Sequence, residues 1–219
     1  MIPPFRVYLF DVDGTLLDSA PDICGAVREV LAGTAAASVD DAILKTYIGK
    51  HLFDLFGDLL PGCSAAEMET LLLHYRKVYP ARGHRGTRVY PGVVEGLARL
   101  GGLKSTATTK GTPTLKALLD QFSLLSFFDH LQGTDGFPAK PAPDVIHKSL
   151  DQFQVPPGEC LFVGDSATDM AAGRAAGVKI CAVRYGYGDA NEMARYQPDY
   201  WIDELAQLCP APVPWPDGR

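Results

Sequence analysis

Short apolar runs alternate with amphipathic segments along most of this chain. Val7–Phe10, Ser105–Thr108, His130–Gln132, Cys160–Val163 and Ile180–Val183 are runs of strand length, and the stretches between them carry helical spacing. Strand–helix alternation of this kind predicts a parallel sheet covered by helices, a doubly wound α/β fold. Tyr200–Ile202 predicts a further strand at an edge. Thr112 followed by Pro113 reads as an N-cap with proline in the first helical position, opening a helix to about Phe122. Helices are also expected from Pro141 to Phe153 and from Thr168 to Ala176, the second closed by Gly177 where a C-terminal glycine belongs.

One stretch breaks the alternation. Residues 20–34, 39–48, 50–60 and 64–79 show helical periodicity with breaks at Gly49, Pro61-Gly62 and Pro80, and no strand pattern lies among them. The interval is too long for a single crossover, so it predicts a small all-helical unit inserted after the first strand. Residues 81–88, rich in glycine and arginine, form the return linker, and Tyr90-Pro91-Gly92 restarts the core with a helix to about Leu100. The expected partition is residues 1–16 and 89–219 for the α/β core and 17–88 for the helical insertion. The proline-rich segment 210–219 reads as a tail over the surface, and Trp201 and Trp215 as packing residues.

Composition narrows the class. The 219 residues are 47% hydrophobic and 21% charged, as in an ordinary globular protein. The net charge of −6 argues against a general nucleic-acid or anionic-membrane binder. No apolar run is long enough to span a membrane, and the N-terminus carries no basic region followed by a long apolar stretch, so a cytoplasmic location is expected. The five cysteines, at 24, 63, 160, 181 and 209, are odd in number and widely spaced, which predicts reduced thiols rather than a disulfide framework or a zinc site.

Four segments fall where open α/β sheets bind ligands, at the carboxyl ends of strands. Asp11-Val12-Asp13-Gly14-Thr15 follows the first strand. Two carboxylates at this spacing can divide the work of nucleophile and general acid/base, although Asp-Gly is also a common turn dipeptide. Thr108-Thr109-Lys110 offers a hydroxyl to a phosphoryl oxygen, or merely a turn cap. Lys140, before Pro141, offers an ammonium to a phosphate and a nearby carboxylate, or is a surface lysine. Gly164-Asp165-Ser166-Ala167-Thr168-Asp169 adds two carboxylates, of which helix capping would explain one. Four converging acids repel one another unless a cation joins them. Mg²⁺ suits oxygen ligands and phosphoryl transfer.

These segments, in this order, resemble the motifs of the haloacid dehalogenase superfamily over nearly the whole chain. Asp11–Thr15 resembles motif one, Thr108 motif two, Lys140 motif three, and Asp165 with Asp169 motif four. The insertion sits where that superfamily carries its helical cap on a Rossmann-like core. Tyr47-Ile48-Gly49, Tyr90-Pro91-Gly92-Val93 and Tyr185-Gly186-Tyr187-Gly188 resemble the phosphoglycolate phosphatase-like subfamily. The resemblance implies a Mg²⁺-dependent phosphatase acting on a small phosphomonoester, with phosphoglycolate as the expected substrate type, as a monomer or homodimer without nucleic-acid or membrane partners. It implies that Asp11 attacks phosphorus to form an aspartyl-phosphate and that Asp13 is the general acid and then the general base. Asp11, the backbone carbonyl of Asp13, Asp165 and Asp169 would serve the metal. Thr108, Thr109 and Lys140 would hold the phosphoryl group. Asparagine is common in the family where Thr109 stands, which bears on substrate orientation.

Relatives separate by residues. Dehalogenases and phosphonate hydrolases lack the acid at Asp13, and the latter use a cap lysine, for which Lys45, Lys50 and Lys77 carry no special mark. Hexose phosphate mutases share Asp13 but typically carry valine or alanine where Thr15 stands, and remain the alternative enzyme. A signalling receiver domain would be about half this length and lack a cap. A non-catalytic phosphate-binding module would be expected to lose Asp11, Asp13 or Lys140, and all three are present. Lys50, His51, Arg82 and Arg85, with the neighbouring His84 and Arg88, are candidates for reading an anionic leaving group, arginine being suited to bidentate recognition.

Overall fold

The computed structural model describes residues 2–209. Segment 210–219, with Trp215, lies outside the described residues. β1 (Val7–Phe10), β4 (Leu103–Thr106), β5 (Cys160–Gly164), β6 (Lys179–Val183) and β7 (Tyr200–Ile202) form one parallel sheet in the order β4-β1-β5-β6-β7. Along β1, Tyr8 and Phe10 face one layer while Val7 and Leu9 face the other. The first layer holds α5 (Val93–Arg99) and α6 (Thr112–Gln121), through Leu97 and Leu115, together with the turn at Leu205–Leu208. The second holds α7 (Asp144–Phe153), α8 (Ala167–Ala176) and α9 (Ala190–Ala194), through Ile146, Met170 and Met193. Burial on both faces is why the central strands read as continuous apolar runs rather than alternating ones. The chain steps from β1 to β4 on one side and then to β5 on the other. That reversal opens a crevice at the carboxyl ends of β1, β4 and β5.

The insertion consists of α1 (Ala20–Leu31), α2 (Asp41–Lys45), α3 (Leu52–Leu59) and α4 (Ala65–Ala81). Its own apolar core contains Val27, Leu31, Leu44, Phe56, Tyr75 and Tyr79. The chain leaves the sheet through β2 (Leu17–Asp18) and returns through β3 (Arg88–Val89), which pair antiparallel as a short ribbon. Leu17 and Val89 pack in the sheet's core, so the ribbon is rooted there. Asp22 ties the two crossings together: its Oδ2 accepts from the Gly86 and Thr87 amides at 2.9 and 2.7 Å and from the Thr87 hydroxyl at 2.8 Å.

Several boundaries depart from the sequence expectation. β4 ends at Thr106, two residues early, so Thr108 lies on the loop beyond it. No strand forms at 130–132. The Asp129 and His130 amides share the Lys104 carbonyl, and the Gln132 amide bonds the Thr106 hydroxyl at 2.9 Å, so a side chain replaces the ladder. Thr112 is the first residue of α6 rather than its cap, and both its amide and hydroxyl bond Asp135. α7 begins at Asp144, three residues after Pro141. Pro80 does not itself end α4, which runs one residue further to Ala81.

Two glycines give opposite stability predictions. A Cβ on Gly173 of α8 would lie 2.2 Å from Ile180 Cγ2 of β6, whereas one on Gly57 of α3 meets nothing within 4 Å. Gly173→Ala should lower stability by about 1–3 kcal/mol through overpacking. Gly57→Ala should raise it by roughly 0.5–1 kcal/mol through helix propensity. Urea midpoints of the two variants check both signs.

Candidate active site

The acids reach one point because the ends of β1 and β5 and the start of α8 do. The Asp11 amide donates to the Val163 carbonyl at 2.9 Å, which joins the loop after β1 to β5. Gly14 then turns back at φ +87°, its amide on the Leu17 carbonyl at 2.8 Å. A Cβ there would sit 2.1 Å from Asp165 Oδ2, so the missing side chain is what admits Asp165 beside Asp11. Thr15 Oγ1 donates to Asp165 Oδ1 at 3.0 Å, and the Tyr187 amide donates to Asp165 Oδ2 at 2.8 Å. Asp169 occupies the first turn of α8, where its Oδ2 accepts from the Ser166 amide and hydroxyl in a capping box.

Asp11, Asp165 and Asp169 are buried and offer oxygens within 4.8 Å of one another. Lys140 stands among them, with Nζ 2.8 Å from Asp11 Oδ1, 2.6 Å from Asp169 Oδ1 and 2.9 Å from the Ala107 carbonyl. All three ammonium protons are thereby placed. One cation against three acids leaves the site short of positive charge. Burial pushes Asp11 up to about 7, and Asp169 and Asp13 add to this while Lys140 opposes it. Burial likewise pushes Asp165 well up, helped by Asp169 and Asp11. Burial alone would lower Lys140, but Asp11 and Asp169 outweigh it and hold the ammonium above its usual range. Three buried carboxylates with oxygen donors only, two of them pushed toward protonation, fit a hard divalent cation.

Asp13 turns elsewhere. Its Oδ1 accepts from the Ser19 hydroxyl, its Oδ2 lies 2.8 Å from Lys110 Nζ, and it lines a cavity of about 680 Å³ between the sheet and the inserted helices. Lys110 also donates to the Tyr79 hydroxyl of α4 at 3.0 Å. Burial works against the Lys110 charge, but Asp13 together with Tyr79 and Tyr75 outweighs it and holds the ammonium above its usual range. Thr108 is fully buried on the loop whose Ala107 carbonyl meets Lys140, and Thr109 lines the cavity.

The structure therefore brings Asp11, Asp165, Asp169 and Lys140 into one cluster and sets Asp13 and Thr109 at the cavity beside it. Lys50 and His51 line the same cavity from the inserted helices. Lys50 lies 5.0 Å over the Tyr47 ring, and His51 Nδ1 caps α3 by accepting from the Phe53 amide. Arg82 and Arg85 do not reach that cavity. Because α4 continues through Pro80, residues 82–86 fall at the return crossing, where Arg82 Nε is 3.6 Å from Asp22 and its Nη1 is 3.8 Å from Glu29. Arg82 and Arg85 border a separate, smaller cavity there. Lys110, Ser19, Tyr79 and Tyr187 carry contacts to the site that the sequence reading assigned no part. Adjacency to Thr108 marked Lys110, and the glycine-flanked tyrosines marked Tyr187. Nothing local to Ser19 or Tyr79 points to the site.

Comparison with known proteins gives the family and the fold. The family model for haloacid dehalogenase-like hydrolases matches residues 8–183. A phosphoglycolate phosphatase of Nitrosospira multiformis is 33% identical over 211 residues, covering 92% of this chain and 93% of that relative. Phosphoglycolate phosphatase 1 of Pseudomonas aeruginosa is 34% identical over 215 residues, covering 94% and 79%. Among solved structures, a haloacid dehalogenase-like hydrolase from Bacteroides fragilis superposes with a TM-score of 0.88 at 30% identity, covering 93% of this chain and 99% of that one.

The raised Asp11 gives a pH prediction with a definite sign. Between about pH 4 and 7 the folded protein keeps a proton that the unfolded chain has lost, so this group's contribution to stability falls as pH rises through that window. In chelator, the native protein should lose stability relative to Asp11→Asn on going from about pH 5 to pH 8. Melting temperatures of the two proteins across that range check it, and the histidine contributions, present in both, cancel in the difference.

Proposed function

This chain belongs to the haloacid dehalogenase-like hydrolases and is a phosphomonoester hydrolase; from that premise we propose that Asp11 is its nucleophile, Asp13 its general acid and base, and a small anionic ester such as phosphoglycolate its substrate. The observation that carries the reading is the division of the two motif-one acids. Asp11 shares a buried cluster with Lys140, Asp165 and Asp169, while Asp13, two residues on, lines the cavity. A phosphoryl group held at the cluster would leave its alcohol portion toward the cavity, on the Asp13 side.

The proposed reaction balances on these residues. An Asp11 oxygen attacks phosphorus, the bond from phosphorus to the ester oxygen breaks, and Asp13 gives the departing alkoxide its proton. Asp13 then takes a proton from water as the water oxygen attacks phosphorus, and the bond from Asp11 to phosphorus breaks to release phosphate and restore the carboxylate. Lys140 faces the charge on the equatorial oxygens, and Thr108 and Thr109 orient them. Ser19 and Lys110 hold both oxygens of Asp13, which keeps its carboxyl out of the three-acid cluster.

A divalent cation, Mg²⁺ in this reading, would be held by Asp11, the backbone carbonyl of Asp13 and Asp165. Asp169, whose oxygens accept from Lys140 and Ser166, would support it at one remove. When bound, the cation supplies the positive charge that three acids and one lysine lack. Residues 17–88 act as the cap of the 1–16 and 89–219 core, with Lys50 and His51 on the leaving-group wall. The names of the relatives and the Lys50 ammonium at the cavity support a small anionic substrate.

Phosphate release from a panel of phosphomonoesters, with Mg²⁺ and with chelator, tests the reading. Release that depends on Mg²⁺ and favours phosphoglycolate is expected, and release unaffected by chelator contradicts the cation assignment. Asp11→Asn should lower turnover by about 10³-fold or more with an unchanged circular dichroism spectrum. Turnover that persists in that variant overturns the nucleophile.

A further inference from the structure

We infer that Tyr187 is a positioning residue, a two-ended latch that couples the seating of the strand carrying the inserted helices to the orientation of the Asp165 carboxylate. At one end its backbone amide donates to Asp165 Oδ2 at 2.8 Å. At the other its hydroxyl donates to Asp18 Oδ1 at 2.7 Å and accepts from the Ala20 amide at 2.9 Å. Asp18 is the last residue of β2 and Ala20 the first of α1, so the phenol grips the chain where it leaves the sheet.

The flanking glycines explain how one residue reaches both. A Cβ on Gly186 would lie 2.2 Å from the Asp165 Cβ, and one on Gly188 would lie 2.0 Å from the Asp165 carbonyl oxygen. The loop therefore lies directly on Asp165 and cannot carry side chains at either position without lifting away. Tyr185 anchors it on the same side, its hydroxyl donating to the Thr15 carbonyl at 2.8 Å. Thr15 in turn donates to the other oxygen of Asp165. The Tyr187 ring packs against the core of the inserted helices. Movement of β2 and α1 therefore pulls on the loop that orients Asp165.

The inference rests on the assignment of Asp165 to the reaction centre made above, and its test has an arm that needs no turnover. Tyr187→Phe keeps the ring and the backbone amide and removes only the hydroxyl. Asp18→Ala removes the same bond from the other side, and Asp18→Asn keeps an acceptor. Amide hydrogen exchange over residues 17–22 and 184–189 should rise in both segments for Tyr187→Phe and for Asp18→Ala. For each of these two variants kcat should fall about tenfold with KM little changed, the range expected for loss of a hydrogen bond to a charged group. The double variant should be no worse than either single one, and Asp18→Asn should retain most of the native behaviour. Faster exchange confined to 17–22 with native kcat would overturn the coupling, as would losses that multiply in the double variant. If Asp11→Asn keeps turnover, the phosphatase reading fails instead, and the exchange data still decide whether the latch exists.

Discussion

The ammonium of Lys140, wedged between Asp11 and Asp169, is the contact on which the site depends. Three carboxylates that reach within 4.8 Å of one another, away from water, are costly to hold together. Lys140 spends all its protons there, two on carboxylates and one on the Ala107 carbonyl at the start of the loop that carries Thr108. It thus lowers the repulsion and fixes the third strand end against the other two. Glycines at 14 and 164 make the approach possible, since a Cβ on Gly164 would lie 2.6 Å from the Asp169 Cβ. The remaining deficit of positive charge appears as the upward displacement of Asp11 and Asp165. A site in that state favours whatever brings a cation into it.

Around that cluster the fold separates charge by task. Asp11, Asp165 and Asp169 come to the site from two strand ends and a helix start. Asp13 is instead held by groups outside the sheet: Ser19, at the start of α1, and Lys110, which leans on Tyr79 of α4. The inserted helices join the sheet through a ribbon with only two residues in each strand, and Asp22 and Tyr187 tie that ribbon down. Asp13 is thus tied to the inserted unit directly through Ser19 and indirectly through the contact of Lys110 with Tyr79.

Much of this was legible in the chain. The buried central strands announce themselves as apolar runs, and Asp11, Asp13 and Asp165 follow strand ends while Asp169 opens the next helix, so local pattern suffices to place them. Lys140 was legible only together with the acids, since a lysine before a proline means little by itself. What was not legible depends on tertiary context. The segment at 130–132 has the composition of a strand but is met by the Thr106 hydroxyl instead of a ladder. Arg82 and Arg85 have the composition of an anion site, but the continuation of α4 through Pro80 carries them to the Asp22 side. Lys110 and Tyr79 are 31 positions apart and meet only because the helical unit folds back over the sheet.

If the phosphoryl group passes through Asp11, it can be trapped there as a covalent adduct. The protein would be mixed with Mg²⁺ and a turned-over ester, quenched in acid within a single turnover, reduced with borohydride and mapped by peptide mass spectrometry. Homoserine is expected at position 11, with unmodified aspartate at 13, 165 and 169. Rapid phosphate release with residue 11 unmodified throughout, or modification at another acid, would contradict it.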